Sequence, residues 1–248
     1  MSRNALQFPD SAEGADAETA SGVAPPPILR LTGVGMRYGR APETLSDISL
    51  TLAAGSFHFL TGPSGAGKSS LLKLIYMAER PSRGLINLFG QDLSTAPRKA
   101  LPKLRQRIGV VFQEFRLLDH LSAFDNVALP LRIAGRKPQD YRLDVAELMG
   151  WVGLGAKLHA MPATLSGGEK QRLAIARAVV ARPDLIIADE PTGNVDHALS
   201  LRILKLFVEL NRLGATVLIA SHDEDLVARS GMPVLTLDHG RLVGGDAP

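Results

Sequence analysis

A glycine-rich segment at residues 62–69, GPSGAGKS, has the spacing of a loop that binds phosphate groups. It lies between an apolar run at 57–60, which predicts a strand, and a predicted helix at 68–77. Its backbone N–H groups and the helix N-terminus would face phosphate oxygens. We expect Lys68 to reach the β- and γ-phosphates of a nucleotide and the Ser69 hydroxyl to bind Mg²⁺. The predicted nucleotide contacts here are Gly62, Pro63, Ser64, Gly65, Ala66, Gly67, Lys68, Ser69 and Ser70.

Two adjacent carboxylates follow a second apolar run. Residues 185–188 read LIIA, which predicts a parallel strand buried on both faces, and Asp189 and Glu190 come directly after it. This places both carboxylates at the carboxyl edge of the sheet, where open α/β folds bind ligands. We expect Asp189 to hold Mg²⁺, usually through water, and Glu190 to polarise an attacking water. The alternative is a solvated turn that ends at Pro191.

A second anion site is predicted at the start of another helix. Ser166 and Glu169 have the spacing of a capping box, which by itself indicates only a well-capped helix. However, Gly167 and Gly168 weaken the first helical turn and allow an anion to approach the backbone closely. The chain thus offers two anion-binding helix N-termini but only one complete phosphate loop. This asymmetry predicts that Ser166, Gly167 and Gly168 complete a nucleotide pocket on another copy of the chain.

Composition narrows the function classes. The 248-residue chain is 45% hydrophobic and 21% charged, so it can bury a substantial core. It has no cysteine, which excludes disulfides, thiolate catalysis and cysteine-bound metal centres. Its six histidines show no metal-ligand spacing, so no structural metal is expected. The net charge of +3 is too small to indicate nucleic acid, and no specific nucleic-acid partner is predicted.

The hydrophobic pattern predicts an α/β domain over 28–248. Residues 1–27 are predicted to be a disordered acidic extension, because they cannot bury enough apolar area to offset the entropy of ordering. Alternating residues at 28–32 and 48–52 predict an N-terminal antiparallel sheet, whereas 185–188 and 217–220 predict central parallel strands. Helical patterns at 169–181 and 198–212 alternate with those strands, so the main sheet is expected to be mostly parallel. An all-helical insertion is predicted at about 114–165.

No segment has the pattern of a membrane span. The longest charge-free stretch near the centre, 48–67, holds only nine apolar residues among polar ones and glycines. The N-terminus lacks the basic and apolar regions of a signal peptide. We therefore expect the chain to stay on the side of the membrane where it is made.

Three motifs in combination resemble those of the ATP-binding-cassette (ABC) ATPases. They are the loop at 61–70, LSGGEKQR at 165–172 and LIIADEPTGNVD at 185–196. The LSGG signature distinguishes this family from other proteins with a phosphate-binding loop, because many of those lack it. The resemblance covers about 28–248 and implies a P-loop NTPase core with an N-terminal antiparallel β subdomain and an inserted helical subdomain. It also implies ATP and Mg²⁺ as ligands, ATP hydrolysis as the reaction, and a head-to-tail homodimer in the ATP-bound state.

The same resemblance implies roles for four further residues. Tyr38 would stack on adenine, and Gln113 would bind Mg²⁺ and sense the γ-phosphate. Asp196 would belong to a dimer-contact loop, and His222 would contact the γ-phosphate. Together with Glu190, Gln113 and His222 make up the predicted catalytic set, and the predicted metal ligands are Ser69, Gln113 and Asp189.

Within the family, several stretches are most similar to the ATP-binding proteins of bacterial cell division, among them 59–62, 64–69 and 71–75. That similarity implies an integral membrane partner of the FtsX type and a peripheral position on the cytoplasmic face of the inner membrane. The alternative within the family is the ATPase subunit of a lipoprotein-releasing or macrolide-export transporter. A chromosome-maintenance ATPase would need a long coiled coil, and no sustained heptads occur. The sequence also allows a further alternative, a scaffold protein that binds ATP with little turnover.

Overall fold

The computed structural model describes residues 27–193, 195 and 197–244. Its strands are β1 (Pro27–Arg37), β2 (Glu43–Ala53), β3 (Phe57–Thr61), β4 (Arg83–Leu88), β5 (Gln91–Asp92), β6 (Ile108–Val111), β7 (Leu185–Asp189), β8 (Thr216–Ala220), β9 (Val234–Asp238) and β10 (Arg241–Gly244). Its α-helices are α1 (Lys68–Ile75), α2 (Leu101–Gln106), α3 (Ala123–Ile133), α4 (Pro138–Trp151), α5 (Gly167–Val179), α6 (His197–Arg212) and α7 (Glu224–Ser230).

The strands form two sheets. The first has the order β2-β1-β4-β5 and is antiparallel, as predicted for its first two strands. The second has the order β10-β9-β3-β8-β7-β6 and is parallel except for β10. Because β3, β8, β7 and β6 run in the same direction, the segments that follow them emerge at one edge of the sheet. The phosphate loop and the two carboxylates therefore meet there.

The central strands divide the core into two layers. Ile186 and Ala188 of β7 pack in one apolar cluster, and Leu185 and Ile187 pack in the other. All four side chains are fully buried. The first cluster includes the apolar faces of α3, α4 and α5, while the second lies between the parallel sheet, α1 and the antiparallel sheet. Both faces of the parallel sheet are covered, as the continuous apolar run predicted.

The predicted all-helical insertion at 114–165 is only partly helical. It contains α3, α4 and two short 3₁₀ turns, at Gly155–Lys157 and Pro162–Thr164. No helix covers 114–122. Phe115 and Arg116 have left-handed backbone conformations (φ 59° and 48°), which a right-handed helix cannot contain. The helix begins only after Ser122, whose side chain accepts a hydrogen bond from the Asp125 N–H.

Two predictions concern the ends of the chain and the membrane. Apart from Pro27, which begins β1, the predicted acidic extension at 1–27 lies outside the described residues. Among the helices that are described, none has the length and apolar character needed to cross a membrane.

Acidification is expected to destabilise the fold through His58. This residue is the second of β3, and its Nδ1 is buried without a hydrogen-bond partner in the described structure. Burial lowers the pKa of the His58 imidazole. The unfolded chain therefore binds a proton more readily, and stability falls as the pH drops below about 6.5. Urea unfolding at pH 7 and pH 5.5 measures how much the free energy of unfolding falls on acidification. We expect a smaller fall in His58→Gln than in wild type, and the exposed His120→Gln is the control. Equal losses in all three proteins would contradict this role.

Candidate active site

A cleft of about 1000 Å³ opens at the carboxyl edge of the parallel sheet. The segments that follow β3, β6, β7 and β8 line this cleft, so residues far apart in sequence lie on its surface. The predicted site residues that line it are Gly62, Pro63, Ser64, Gly65, Gly67, Lys68, Ser69, Ser70, Gln113, Asp189, Glu190 and His222.

The loop at 62–67 owes its shape to glycines at both ends. Gly62 has φ 139°, and a Cβ there would collide with the Leu237 carbonyl of β9. Gly67 caps α1 with φ 106°, and its Cβ would lie 2.8 Å from the Leu45 side chain. These close approaches hold the loop against the two sheets. The first turn of α1 thus opens toward the cleft with no acidic side chain in it.

Lys68 is nearly buried, with 8% of its surface exposed. Its ammonium donates hydrogen bonds to the carbonyls of Gly62 (2.7 Å) and Pro63 (3.2 Å). The loop's own carbonyls therefore hold the cation at the cleft. A positive charge fixed in this position suits a phosphate oxygen as its third partner.

Ser69 and Asp189 form an oxygen-rich pair in the cleft. Both side chains line it. Burial raises the pKa of the Asp189 carboxyl, and the neighbouring Ser69 hydroxyl opposes that rise. Across the described residues, no three His, Cys, Asp or Glu side chains cluster as a metal site. One carboxylate and one hydroxyl beside a phosphate loop fit Mg²⁺, which takes few protein ligands and relies on substrate phosphates.

Glu190 is held directly against His222. Their side chains meet at 2.8 Å between Glu190 Oε2 and His222 Nδ1, and the same oxygen accepts the His222 backbone N–H at 3.3 Å. The Glu190 side chain is 11% exposed, whereas that of His222 is 68% exposed. The Glu190 backbone is left-handed (φ 49°), an unfavourable conformation for a residue with a side chain. The carboxylate thus lines the cleft from a strained backbone position.

Gln113 is exposed in the cleft, two residues beyond the end of β6. The preceding residue, Phe112, packs edge-on against Tyr76 just after α1, with the ring centres 5.9 Å apart. The guanidinium of Arg116 lies 4.4 Å from the centre of the Phe112 ring. These contacts fix the base of the Gln113 loop to the helix that follows the phosphate loop.

The predicted second anion site lies outside the cleft of its own chain. The predicted capping box is present, because Ser166 Oγ accepts the Glu169 N–H and Glu169 accepts the Ser166 N–H at 2.8 Å. Ser166 and Gly167 are exposed, while a Cβ on Gly168 would meet Leu199 of α6 at 2.5 Å. None of these residues lines the cleft. The structure therefore leaves the Ser166 turn free to meet a ligand bound elsewhere.

Three further predicted site residues are not among the residues that line the cleft. Ala66 of the phosphate loop is buried, with 4% of its surface exposed. Tyr38 is 40% exposed, donates or accepts a hydrogen bond at Ser70 (3.2 Å), and has Lys73 5.6 Å from its ring centre. It lies beside the cleft rather than among the lining residues. Asp196 lies outside the described residues.

Several cleft residues were not identified from the sequence. Thr44 lies at the start of β2, and Val234 and Thr236 lie on β9. The apolar and polar residues that alternate along β9 in the sequence could have predicted this strand. Its place beside β3, however, is a long-range pairing that a local pattern does not reveal.

Comparison with known proteins adds the decisive observation. The family model for ABC transporters matches residues 45–193, a span that runs from β2 through the phosphate loop to the carboxylates. The chain belongs to the ABC transporter family. Its members' ATP-binding subunits hydrolyse ATP, so this chain is an ABC-type ATPase, as the combined motifs predicted.

Curated ATP-binding proteins align with most of the chain. The cell division ATP-binding protein FtsE of Escherichia coli K12 is 47% identical over 218 residues, covering 88% of this chain and 98% of that protein. FtsE of Bacillus subtilis is 40% identical, covering 87% and 95%. The methionine import ATP-binding protein MetN 1 of Salmonella choleraesuis is also 40% identical, but the match covers only 64% of it.

Solved ABC cassettes share the fold. The dimeric structure of a bacterial ABC transporter cassette is 32% identical, with a TM-score of 0.82, covering 88% of this chain and 98% of that one. A dimeric post-hydrolysis structure of the same cassette, bound to ADP and Pi, aligns at 31% identity, with a TM-score of 0.80 and the same coverage. The predicted fold class, an ABC nucleotide-binding domain, is thereby confirmed.

Proposed function

We propose that this ABC ATPase is the ATP-hydrolysing subunit of a membrane complex that acts in bacterial cell division. It works as a head-to-tail homodimer when ATP is bound, and it docks on an integral membrane protein of the FtsX type at the cytoplasmic face of the inner membrane. The assignment to division is supported by FtsE relatives whose lengths are almost fully matched, at 40–47% identity.

The observation that carries the dimer is the position of Ser166. The Ser166 turn at the start of α5 is exposed and lies outside the cleft that contains Lys68. In a head-to-tail pair, each cleft would receive the Ser166, Gly167 and Gly168 turn of the other copy. The likeness to one cassette that is dimeric in both of its matched structures supports this arrangement.

In the proposed site, Lys68 and the N–H groups of the phosphate loop bind the β- and γ-phosphates. Ser69, Asp189 and Gln113 would hold Mg²⁺, which neutralises charge on the phosphates when bound. Their oxygen atoms and their shared place on the cleft support this set. Tyr38 would stack on adenine, and Asp196 would contact the second copy.

Glu190 and His222 act on the opposite side of the γ-phosphate from the leaving group. The carboxylate of Glu190 accepts a hydrogen bond from the attacking water and orients it for in-line attack. His222 holds Glu190 in place and presents its exposed ring to the γ-phosphate. The 2.8 Å contact between the two side chains supports a paired role.

Co-purification from detergent-solubilised membranes tests the proposed partner. The tagged full-length chain is co-expressed either with the FtsX-type protein of the same genome or with its lipoprotein-releasing membrane subunits. We expect stoichiometric recovery with the FtsX-type protein and background recovery with the others. Preferential recovery with the lipoprotein-releasing subunits would contradict the division assignment and favour the transporter alternative.

A further inference from the structure

Arg177 lies in the third turn of α5 and reaches across to the loop that follows Gln113. Its Nη2 donates to the Phe115 carbonyl and its Nη1 to the Arg116 carbonyl, each at 2.6 Å. A planar guanidinium can bond two neighbouring carbonyls at once, which the single ammonium of lysine cannot do in the same geometry. The contact therefore fixes both the position and the orientation of the loop.

The two carbonyls belong to residues in an unfavourable conformation. Phe115 and Arg116 are both left-handed, and neither is glycine or asparagine. Consecutive residues of this kind persist only where surrounding contacts determine them. Arg177 supplies such contacts from outside the loop.

The other end of the loop is also tied to the helical part of the molecule. Asn126 of α3 is fully buried, accepts the Leu118 N–H at 2.8 Å, and donates to the carbonyls of Leu118 and Leu121. Helices α3 and α5 pack against each other. The segment 115–121 is thus attached to α3 and α5 as one unit.

Electrostatic stabilisation does not account for Arg177. Within the part of the chain that the structure describes, no carboxylate forms a salt bridge with it. Burial lowers the pKa of its guanidinium, which shows that the charged form loses hydration here. The hydrogen bonds that the described residues offer this half-buried cation go to backbone carbonyls, so the geometry it imposes on them explains it better than the energy it contributes.

The helix that bears Arg177 also bears the second anion site. Ser166 caps α5 eleven residues earlier, about 16 Å along the axis at 1.5 Å per residue. Gln113 is two residues before Phe115. A continuous helix transmits a displacement at one end to the other, so one side chain links the two halves of the proposed site.

We propose that Arg177 is the positioning residue that couples the Gln113 loop to the Ser166 turn. When nucleotide contacts Gln113, the loop moves, and the guanidinium carries α5 and its Ser166 turn into the position that closes on the second copy. This inference rests on the proposed roles of Gln113 and Ser166.

The first test compares Arg177→Lys with wild type in steady-state ATPase assays. Lysine keeps the charge and most of the volume but loses the double contact. We expect kcat to fall by about tenfold or more while KM and the Kd for a fluorescent ATP analogue change by less than threefold. The control is Arg202→Lys on α6, an exposed arginine, which should retain wild-type kinetics. An unchanged kcat, or a thermal unfolding temperature so reduced that the variant is unfolded, would overturn the proposal.

The second test measures the coupling directly. If Arg177 acts through the Gln113 loop, then Gln113→Ala should lower kcat in the wild-type background but by less than twofold in the Arg177→Lys background. Hydrogen exchange in the monomer should show ATP protecting 113–118 and 165–170 together in wild type, and only 113–118 in Arg177→Lys. If the two substitutions lower kcat independently, so that their effects multiply, the proposed role of Arg177 is overturned and that of Gln113 is not. A Gln113→Ala variant with wild-type kcat would instead overturn the proposed function of Gln113.

Discussion

Replacing Glu190 by glutamine should lower kcat for ATP hydrolysis by about a hundredfold or more, while ATP affinity changes by less than threefold. The amide keeps the shape of the side chain but no longer accepts a proton or orients the attacking water as a carboxylate does. Because Lys68 and the phosphate loop are unaltered, ATP still binds. The dimer then lacks the step that opens it and should accumulate.

Size-exclusion chromatography with light scattering in the presence of Mg-ATP measures this accumulation. The matched control is Glu224→Gln, which also removes a carboxylate lining the cleft but lies in the first turn of α7. We expect the control to hydrolyse ATP near the wild-type rate and to dimerise only transiently. A Glu190→Gln protein that stays monomeric, or that turns over at the wild-type rate, would remove Glu190 from the mechanism.

The second large effect is expected at Lys68. Alanine there removes a nearly buried ammonium and its charge-assisted hydrogen bonds to phosphate, which contribute about 1.5–3 kcal/mol each. Affinity for ATP should therefore fall by at least tenfold, with loss of measurable hydrolysis. Isothermal titration calorimetry gives the Kd, and thermal unfolding checks that loss of the bonds to Gly62 and Pro63 leaves the fold intact. Wild-type affinity in a folded Lys68→Ala protein would contradict the assignment, and the exposed Lys99→Ala serves as control.

The central parts of the cleft could be predicted from the sequence because local patterns determine them. A glycine-rich turn between strand and helix has few possible structures, and the positions of Gly62, Gly67 and Lys68 follow from it. The fully buried run before Asp189 requires a strand covered on both faces, so the end of that strand lies at the ligand-binding edge. Neither inference needs knowledge of distant residues.

Other parts depend on contacts between distant segments and were missed or wrong. The pattern at 114–122 predicts a helix, yet Arg177 holds Phe115 and Arg116 in left-handed conformations from 62 and 61 residues away, respectively. Strand β9 enters the cleft because it pairs with β3, although more than 170 residues separate the paired positions Thr61 and Thr236. Such pairings arise from the packing of the whole sheet rather than from local propensity.

In the proposed dimer, each ATP site is shared between two copies of the chain. Lys68→Ala disables the phosphate loop, and Ser166→Arg blocks the second anion site by placing a large cation in an exposed turn. Each variant alone should be inactive. Thermal unfolding of Ser166→Arg separates this block from loss of the α5 cap, which costs about 1 kcal/mol.

Mixing the two inactive variants is the most direct measurement. In a mixed head-to-tail dimer, the intact Lys68 of one chain faces the intact Ser166 of the other, so one complete site remains. With equal amounts and free exchange, half of the dimers are mixed, and we expect about a quarter of the wild-type ATPase rate if the sites work independently. Mixtures that exchange subunits yet stay as inactive as either parent would contradict the shared site.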